Sequence, residues 1–269
     1  MQLNEWPARF RSRQASAGDT ILSVASTRAS AVLLCLGAGA WILTVLQARA
    51  MGGMEAMAPI SFPAFVAMWA TMMAAMMLPS LIPLVSRYTR TIQSSEWLGV
   101  ESLVIGYIAV WTAVGTVGYI LSRILAATLE HHPGRARWIS VACYACCGIY
   151  QLTPLKDRCL SQCRAPFALL LTYAGWRGRY RHLRVGAHHG ATCVGCCWAL
   201  MLVLFATGLM NLGAMVLLTL VVAVEKLGTR GPGFSQCVGV ISLLLALAAI
   251  WQPELAANIL SSMPQMIHR

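Results

Sequence analysis

Cysteine and histidine are concentrated in one stretch of this sequence, HHGATCVGCCW at residues 188–198. On a helix, His189, Cys193, Cys196 and Cys197 are spaced i, i+4, i+7 and i+8, so all four lie on one face. Thiolate and imidazole groups are ligands that suit Cu(I), and also Zn or haem iron. We therefore predict a metal site on this face; packing and redox thiols are the alternative interpretations.

Five further cysteines lie between residues 143 and 163. The first three share a helical face by the i, i+3, i+4 rule, and the last two are also spaced i, i+4. Cysteines inside membrane helices usually pack as small residues, but three on one face indicate a lined cavity. The candidate groups that would complete the metal site are Cys143, Cys146, Cys147, Cys159 and Cys163.

A methionine stripe occupies the stretch MWATMMAAMML at residues 68–78. Met72, Met73, Met76 and Met77 share one helical face, because positions i, i+1, i+4 and i+5 cluster. Thioether sulfur is a soft ligand that suits Cu(I) and poorly suits Mg or Ca. We predict a metal pathway along this stripe, with methionines that only fill the core as the alternative.

Three methionines at a spacing of three, Met51, Met54 and Met57, precede that stripe. Thioether groups make no favourable interaction with water, so exposed methionines in this segment indicate another use. We interpret the segment as an entry for a soft metal ion on the outer face. An interfacial loop that dips into lipid is an equally open interpretation.

Polar groups inside the apolar stretches are Gln151, Asn211 and Glu225. Such groups at membrane depth face the protein interior and often mark an ion or proton pathway. For Glu225 we favour a pairing with an interfacial arginine or with Lys226, and we expect Lys226 to reach the membrane surface.

The composition identifies the class of protein that must position these groups. Of 269 residues, 58% are hydrophobic and 11% are charged, against about 25% charged in a soluble domain. These values exclude a soluble globular enzyme, a disordered tail and a fibrous repeat. They predict an all-α fold, a polytopic transmembrane helix bundle with six to seven spans.

The layout has a cytoplasmic basic N-terminal segment at 1–29, a transmembrane domain at 30–252 and a C-terminal tail at 253–269. With the N-terminus in the cytoplasm, cytoplasmic segments hold fifteen Lys and Arg residues and external segments hold five. This bias supports seven spans and an external C-terminus. The predicted spans are 30–48, 64–85, 100–122, 138–153, 190–209, 212–227 and 235–252.

The net charge of +11 is interpreted as basic loops that meet lipid headgroups, and nucleic acid is not an expected partner. No Walker A, Gly-x-Ser-x-Gly or His-Glu-x-x-His motif occurs in the sequence, so we do not expect ATP-driven transport by this chain alone. No catalytic residue is assigned, and a role other than an enzyme is favoured. An uncleaved signal-anchor is favoured over a signal peptide for the first apolar run.

An ordered set of motifs resembles one bacterial family. The set comprises Met68-Trp69, Met76-Met77-Leu78-Pro79-Ser80, the stretch YQLTPLK at 150–156 with Cys159, Cys163, Arg164 and Pro166, and the 189–198 stretch with Met201, Met210-Asn211 and Glu225-Lys226. It resembles the domain of unknown function 2182 family, described as predicted metal-binding integral membrane proteins. The resemblance implies a multi-pass helical protein of the bacterial inner membrane.

The sequence thus favours soft-metal handling, with Cu(I) preferred over Zn or haem iron, by a transporter or a membrane metallochaperone. The expected partners are the lipid bilayer and other membrane or periplasmic metal-handling proteins. The alternative is a thiol-redox or assembly subunit of a larger membrane complex that has no transport activity.

Overall fold

Helices account for all the regular secondary structure in the described part of this chain. The computed structural model describes residues 6–52, 61–91, 97–164, 171–228 and 231–251. The principal helices are α1 Trp6–Gly52, α2 Phe62–Thr91, α3 Trp97–His131, α4 Ala136–Gln151, α5 Pro154–Arg164, α6 Arg181–Thr207, α7 Leu212–Leu227 and α8 Gly231–Trp251. A 3-10 turn, Pro133–Arg135, joins α3 to α4. The predicted all-α bundle is confirmed.

Five stretches of these helices are long and apolar enough to cross a membrane. They are Thr27–Ala50, Phe62–Thr89, Gly99–His131, Arg181–Thr207 and Gly233–Trp251. The spans predicted at 138–153 and 212–227 fall on α4 and α7, which have 16 residues each. A helix of that length rises about 24 Å, less than the ~30 Å hydrocarbon core of a bilayer. The chain is a membrane protein by this criterion, and a total of seven spans stays a prediction.

Glycines let α3 and α6 pack with their backbones in contact. A methyl group added at Gly186 would lie 1.9 Å from the carbonyl oxygen of Leu103, and one at Gly106 would lie 2.2 Å from that of Leu183. Small residues at such crossings allow the close helix approach on which membrane bundles depend. This contact holds α6 against α3, whose Tyr107 faces the site described below.

The chain reverses direction between α6 and α7. Helix α6 ends at Thr207, and Gly208 follows with φ +97, a backbone conformation that glycine adopts readily. Asn211 then caps α7, because its side-chain oxygen accepts a hydrogen bond from the backbone NH of Ala214. The polar side chain of Asn211 therefore has a structural use at this turn. Helix α7 returns along α6 and brings its last turn level with the middle of that helix.

Candidate metal centre

Three cysteine side chains of α6 meet inside the bundle. The sulfur atoms of Cys193, Cys196 and Cys197 all lie within 4.8 Å of one another. Each residue is at most 1% exposed. The helical spacing i, i+3, i+4 gives this clustering directly, because those positions are neighbours on one helix face. Cys193, Cys196 and Cys197 are called the thiol triad below.

A lysine ammonium group points at the thiol triad from α7. The Nζ of Lys226 donates hydrogen bonds to the sulfur of Cys193 at 2.9 Å and to the hydroxyl of Ser80 on α2 at 3.1 Å. The hydroxyl of Tyr107 on α3 also lies 3.0 Å from that sulfur. The expectation that Lys226 extends to the membrane surface is wrong, because its head group is bound inside the bundle. Thiolate anions are stabilised by such a cation and by such a hydroxyl.

A fourth thiol reaches the triad from α5. Cys163 donates a hydrogen bond from its sulfur to that of Cys196, at 3.7 Å, and this bond together with burial raises the pKa of Cys163. One turn earlier, Cys159 packs against Gly195, where an added methyl group would lie 3.0 Å from its sulfur. Gly195 therefore allows α5 to lie close against the part of α6 that carries the triad.

An ion pair fixes α5 to α7 beside the thiols. Lys156 Nζ lies 2.7 Å from Glu225 Oε2, and both side chains are at most 1% exposed. Gln151 donates from Nε2 to Glu225 Oε1 at 2.8 Å, and Ser235 donates to the Oε1 of Gln151 at 3.2 Å. Glu225 thus pairs with Lys156, and the expected pairing with Lys226 or an interfacial arginine is wrong. The first turn of α5 lies inside the bundle, so its Lys156 is the cation that lies beside the carboxylate of Glu225.

Arg164, at the end of α5, strengthens the same junction. Its guanidinium donates to the backbone carbonyl of Glu225 at 2.7 Å and to that of Gly228 at 2.5 Å. Because these carbonyls belong to the last turn of α7 and the residue after it, the arginine caps that helix. The position of α5, and with it that of Cys163, is held at both ends of the short helix.

His189 is buried one turn before Cys193, with 4% of its surface exposed. Its ring stacks on that of Tyr107, with centroids 6.0 Å apart. Within the described part of the chain, its Nδ1 has no hydrogen-bond partner. Its nitrogen atoms are nevertheless outside the set of donors that lie within 4.8 Å of one another. His189 neighbours the triad without being grouped with it.

The cysteines of α4 lie elsewhere in the bundle. Cys147 is buried, and the hydroxyl of Ser242 on α8 donates to its sulfur at 3.7 Å. Cys143 and Cys146 are half-buried. These three were expected to complete the metal site, but among the described residues the close-set thiols are those of α6. The contact with Ser242 places the sulfur of Cys147 against α8.

The predicted methionine stripe is fully buried on α2. Met72, Met73, Met76 and Met77 are at most 1% exposed and belong to the same hydrophobic cluster as the thiol triad. Ser80 lies one turn beyond Met76 and contacts Lys226, so the stripe leads toward the triad. Met54 and Met57 lie outside the described residues. Met51 is within α1, but its side chain is also outside the description.

Sequence reasoning missed the polar groups that surround the sulfur atoms. Lys156, Tyr107 and Ser80 were not among the candidate site residues, and Lys226 was assigned to the surface. Lysines beside apolar helices and near cysteines were the available signal. No feature of the sequence marked Tyr107 and Ser80 as site residues, since tyrosine and serine are common in membrane helices.

The fold and the site together define a helical membrane protein with a buried group of three thiols that is able to hold a metal ion. The family model of PpoB2, described as a copper chaperone, matches residues 66–249, and the chain belongs to this family. That description supports the metal-related part of the expected resemblance, although under a different family name, and it names copper. No curated protein and no solved structure was found to match the chain.

Proposed function

We propose that this protein is a membrane-embedded copper chaperone that holds Cu(I) on the sulfur atoms of Cys193, Cys196 and Cys197. The observation that carries the proposal is the mutual approach of these three buried sulfurs within 4.8 Å. Membership of a copper chaperone family supports the choice of metal. Thiolates are soft ligands that select Cu(I) over hard cations.

The donor set also favours copper over zinc. Structural zinc is almost always four-coordinate and tetrahedral, whereas the close-set group has three sulfurs, and the fourth thiol, that of Cys163, lies outside the 4.8 Å set. The ammonium of Lys226 beside Cys193 adds a positive charge, which offsets the negative charge that thiolates and a monovalent ion leave in a low-dielectric interior. His189 is assigned to the surroundings of this site rather than to its ligands.

The methionine stripe is proposed as the route by which copper reaches the triad. Thioethers bind Cu(I) without carrying charge, so an ion can pass between them within the apolar core. Met76 and Ser80 lie one turn apart on α2, and Ser80 contacts the Lys226 that also contacts Cys193. The segment that carries Met51, Met54 and Met57 is proposed as the entry to this route.

We place the protein in the bacterial inner membrane with its N-terminus in the cytoplasm. The last turn of α7 lies level with Cys193, so α7 runs back along the half of α6 that follows Cys193. We propose that α4 and α7 both cross the membrane. The crossing by α4 makes the arginine-rich segment that precedes α6 cytoplasmic, as the positive-inside rule favours. The proposed partners are metal-handling proteins of the membrane or periplasm.

The test is Cu(I) binding by protein purified without oxygen in detergent, measured in competition with a chromogenic chelator. Replacement of Cys196 and Cys197 by Ala removes two triad thiols and should abolish tight binding. The matched control is Cys35→Ala with Cys237→Ala, because it removes two exposed thiols that belong to α1 and α8 and not to the triad. Equal binding by the triad variant and the control would refute the proposal.

The thiol-redox alternative is supported by one contact. The sulfurs of Cys163 and Cys196 lie 3.7 Å apart on different helices, whereas pairs within α6 are held at helical Cβ separations of about 5–6 Å, too far for a relaxed disulfide. A redox role requires this pair to cycle in cells. Thiol trapping that shows a permanently reduced pair would exclude it.

A further inference from the structure

Cys163 differs from the triad thiols in helix and in exposure. It belongs to α5, whereas the triad belongs to α6. It retains partial exposure, whereas each triad residue is at most 1% exposed. Its sulfur approaches that of Cys196 to 3.7 Å, yet it is outside the set of donors within 4.8 Å of one another. It is thus placed next to one triad sulfur without joining the set.

Groups around Cys163 connect this edge of the site to the protein surface. Tyr173 is buried in the cluster against which Cys163 packs, and its hydroxyl lies 3.0 Å from Nδ1 of His188. His188 is exposed. Its ring also contacts that of Trp176, with centroids 5.6 Å apart. The donors Cys196, Cys163 and His188 therefore become progressively more exposed.

We propose that Cys163 is the transfer ligand through which Cu(I) leaves the thiol triad for an acceptor that offers a thiolate or another soft donor. This inference rests on the proposed copper function and assigns the exit from the same site. Enclosed by α3, α6 and α7, the triad sulfurs have no comparable exposure. An acceptor meets copper first at the α5 edge.

The exchange proceeds without a change of oxidation state. A bond forms between Cu(I) and the sulfur of Cys163 as that thiol releases its proton. The bonds from copper to Cys193 and to Cys197 break, and each released thiolate takes up a proton. Two donor atoms of the acceptor then bind copper and displace Cys163 and Cys196 in turn, and these two thiolates are protonated as they leave. Copper remains Cu(I) throughout, and no oxidant or reductant is consumed.

The experiment compares equilibrium affinity with transfer rate. Full-length protein loaded with one Cu(I) is mixed with bicinchoninate, a chromogenic Cu(I) chelator, and the transfer is followed by absorbance. Cys163→Ser should slow transfer by about tenfold or more, because the exchange loses its intermediate ligand. Its equilibrium affinity should stay within about threefold of the wild type.

Two variants separate this role from a structural one. Cys163→Met retains a soft sulfur donor and should restore most of the rate, whereas Cys163→Ala should not. Cys159→Ser is the matched control, because Cys159 lies one turn away on α5 and is also partly exposed, and it should transfer copper at the wild-type rate.

The outcomes are distinct. A loss of affinity as large as the loss of rate would make Cys163 a resident ligand and overturn the proposal. An unchanged rate in Cys163→Ser, or an equal slowing in Cys159→Ser, would also overturn it. Failure of the wild type itself to bind Cu(I) would refute the proposed copper function, which is a different result.

Discussion

The ammonium of Lys226 lies 2.9 Å from the sulfur of Cys193. An ammonium group removed from water is costly unless an anion or several polar atoms compensate for it. The carboxylate next to it in sequence, that of Glu225, is engaged by Lys156. The sulfur of Cys193 is therefore the group placed to balance the charge of Lys226, and the ammonium would stabilise the thiolate that forms there when a cation binds sulfur.

Replacing Lys226 by Met should weaken Cu(I) binding about 10–100-fold, the usual effect of losing a group that supports metal ligands. The methionine keeps the length of the side chain but removes its charge. Lys226→Arg, which retains the positive charge, should lose less affinity for Cu(I). Chelator competition measures both affinities, and wild-type affinity in Lys226→Met would contradict this role.

The ion pair between Lys156 and Glu225 should show strong coupling in stability. Lys156→Met alone leaves a buried carboxylate without its cation, which costs about 3–5 kcal/mol. Adding Glu225→Gln removes that charge, and the double variant should recover much of the loss. Thermal unfolding of the wild type, the two single variants and the double variant in detergent measures the coupling. Additive losses would show that the pair contributes no mutual stabilisation.

The helical class and the thiol triad followed from sequence because both depend on local spacing. Apolar runs identify the long helices, and the i, i+3, i+4 pattern places Cys193, Cys196 and Cys197 on one face. The partners of these thiols depend on tertiary packing, which spacing does not encode. Lys226 illustrates the limit, since the same side chain could reach the interface or turn inward, and the approach of Ser80 and Cys193 decides it.

The cysteines of α4 show a second limit. Positions 143, 146 and 147 form a face as regular as that of the triad, but periodicity does not say which helix that face meets. Cys147 contacts Ser242 of α8. A shared face therefore predicts a cluster only when the opposing element is known.

The methionine stripe should affect the rate of copper loading more than the affinity. Met76→Leu with Met77→Leu conserves side-chain volume, so each change should cost less than about 1.5 kcal/mol of stability. The variant should bind Cu(I) with near wild-type affinity but load more slowly in a membrane. Uptake of Cu(I) by protein in sealed vesicles measures the rate. A wild-type loading rate in this variant would show that these methionines only pack in the core.

The membrane topology is tested at one exposed loop. With seven spans, the segment around Gly178 is cytoplasmic. If α4 and α7 do not cross, the same segment is external, while the C-terminus is external in both arrangements. An epitope inserted after Gly178 should be reached by antibody only after the inner membrane is permeabilised. Labelling of intact spheroplasts would contradict the seven-span arrangement.

X-ray absorption at the copper edge of the anaerobic, Cu(I)-loaded protein tests whether the thiol triad binds copper. We expect a first shell of about three sulfur atoms and no nitrogen, unchanged by His189→Phe, which keeps a ring against Tyr107. A shell of nitrogen or oxygen alone, or one that Cys196→Ala with Cys197→Ala leaves intact, would contradict the assignment of copper to the thiol triad.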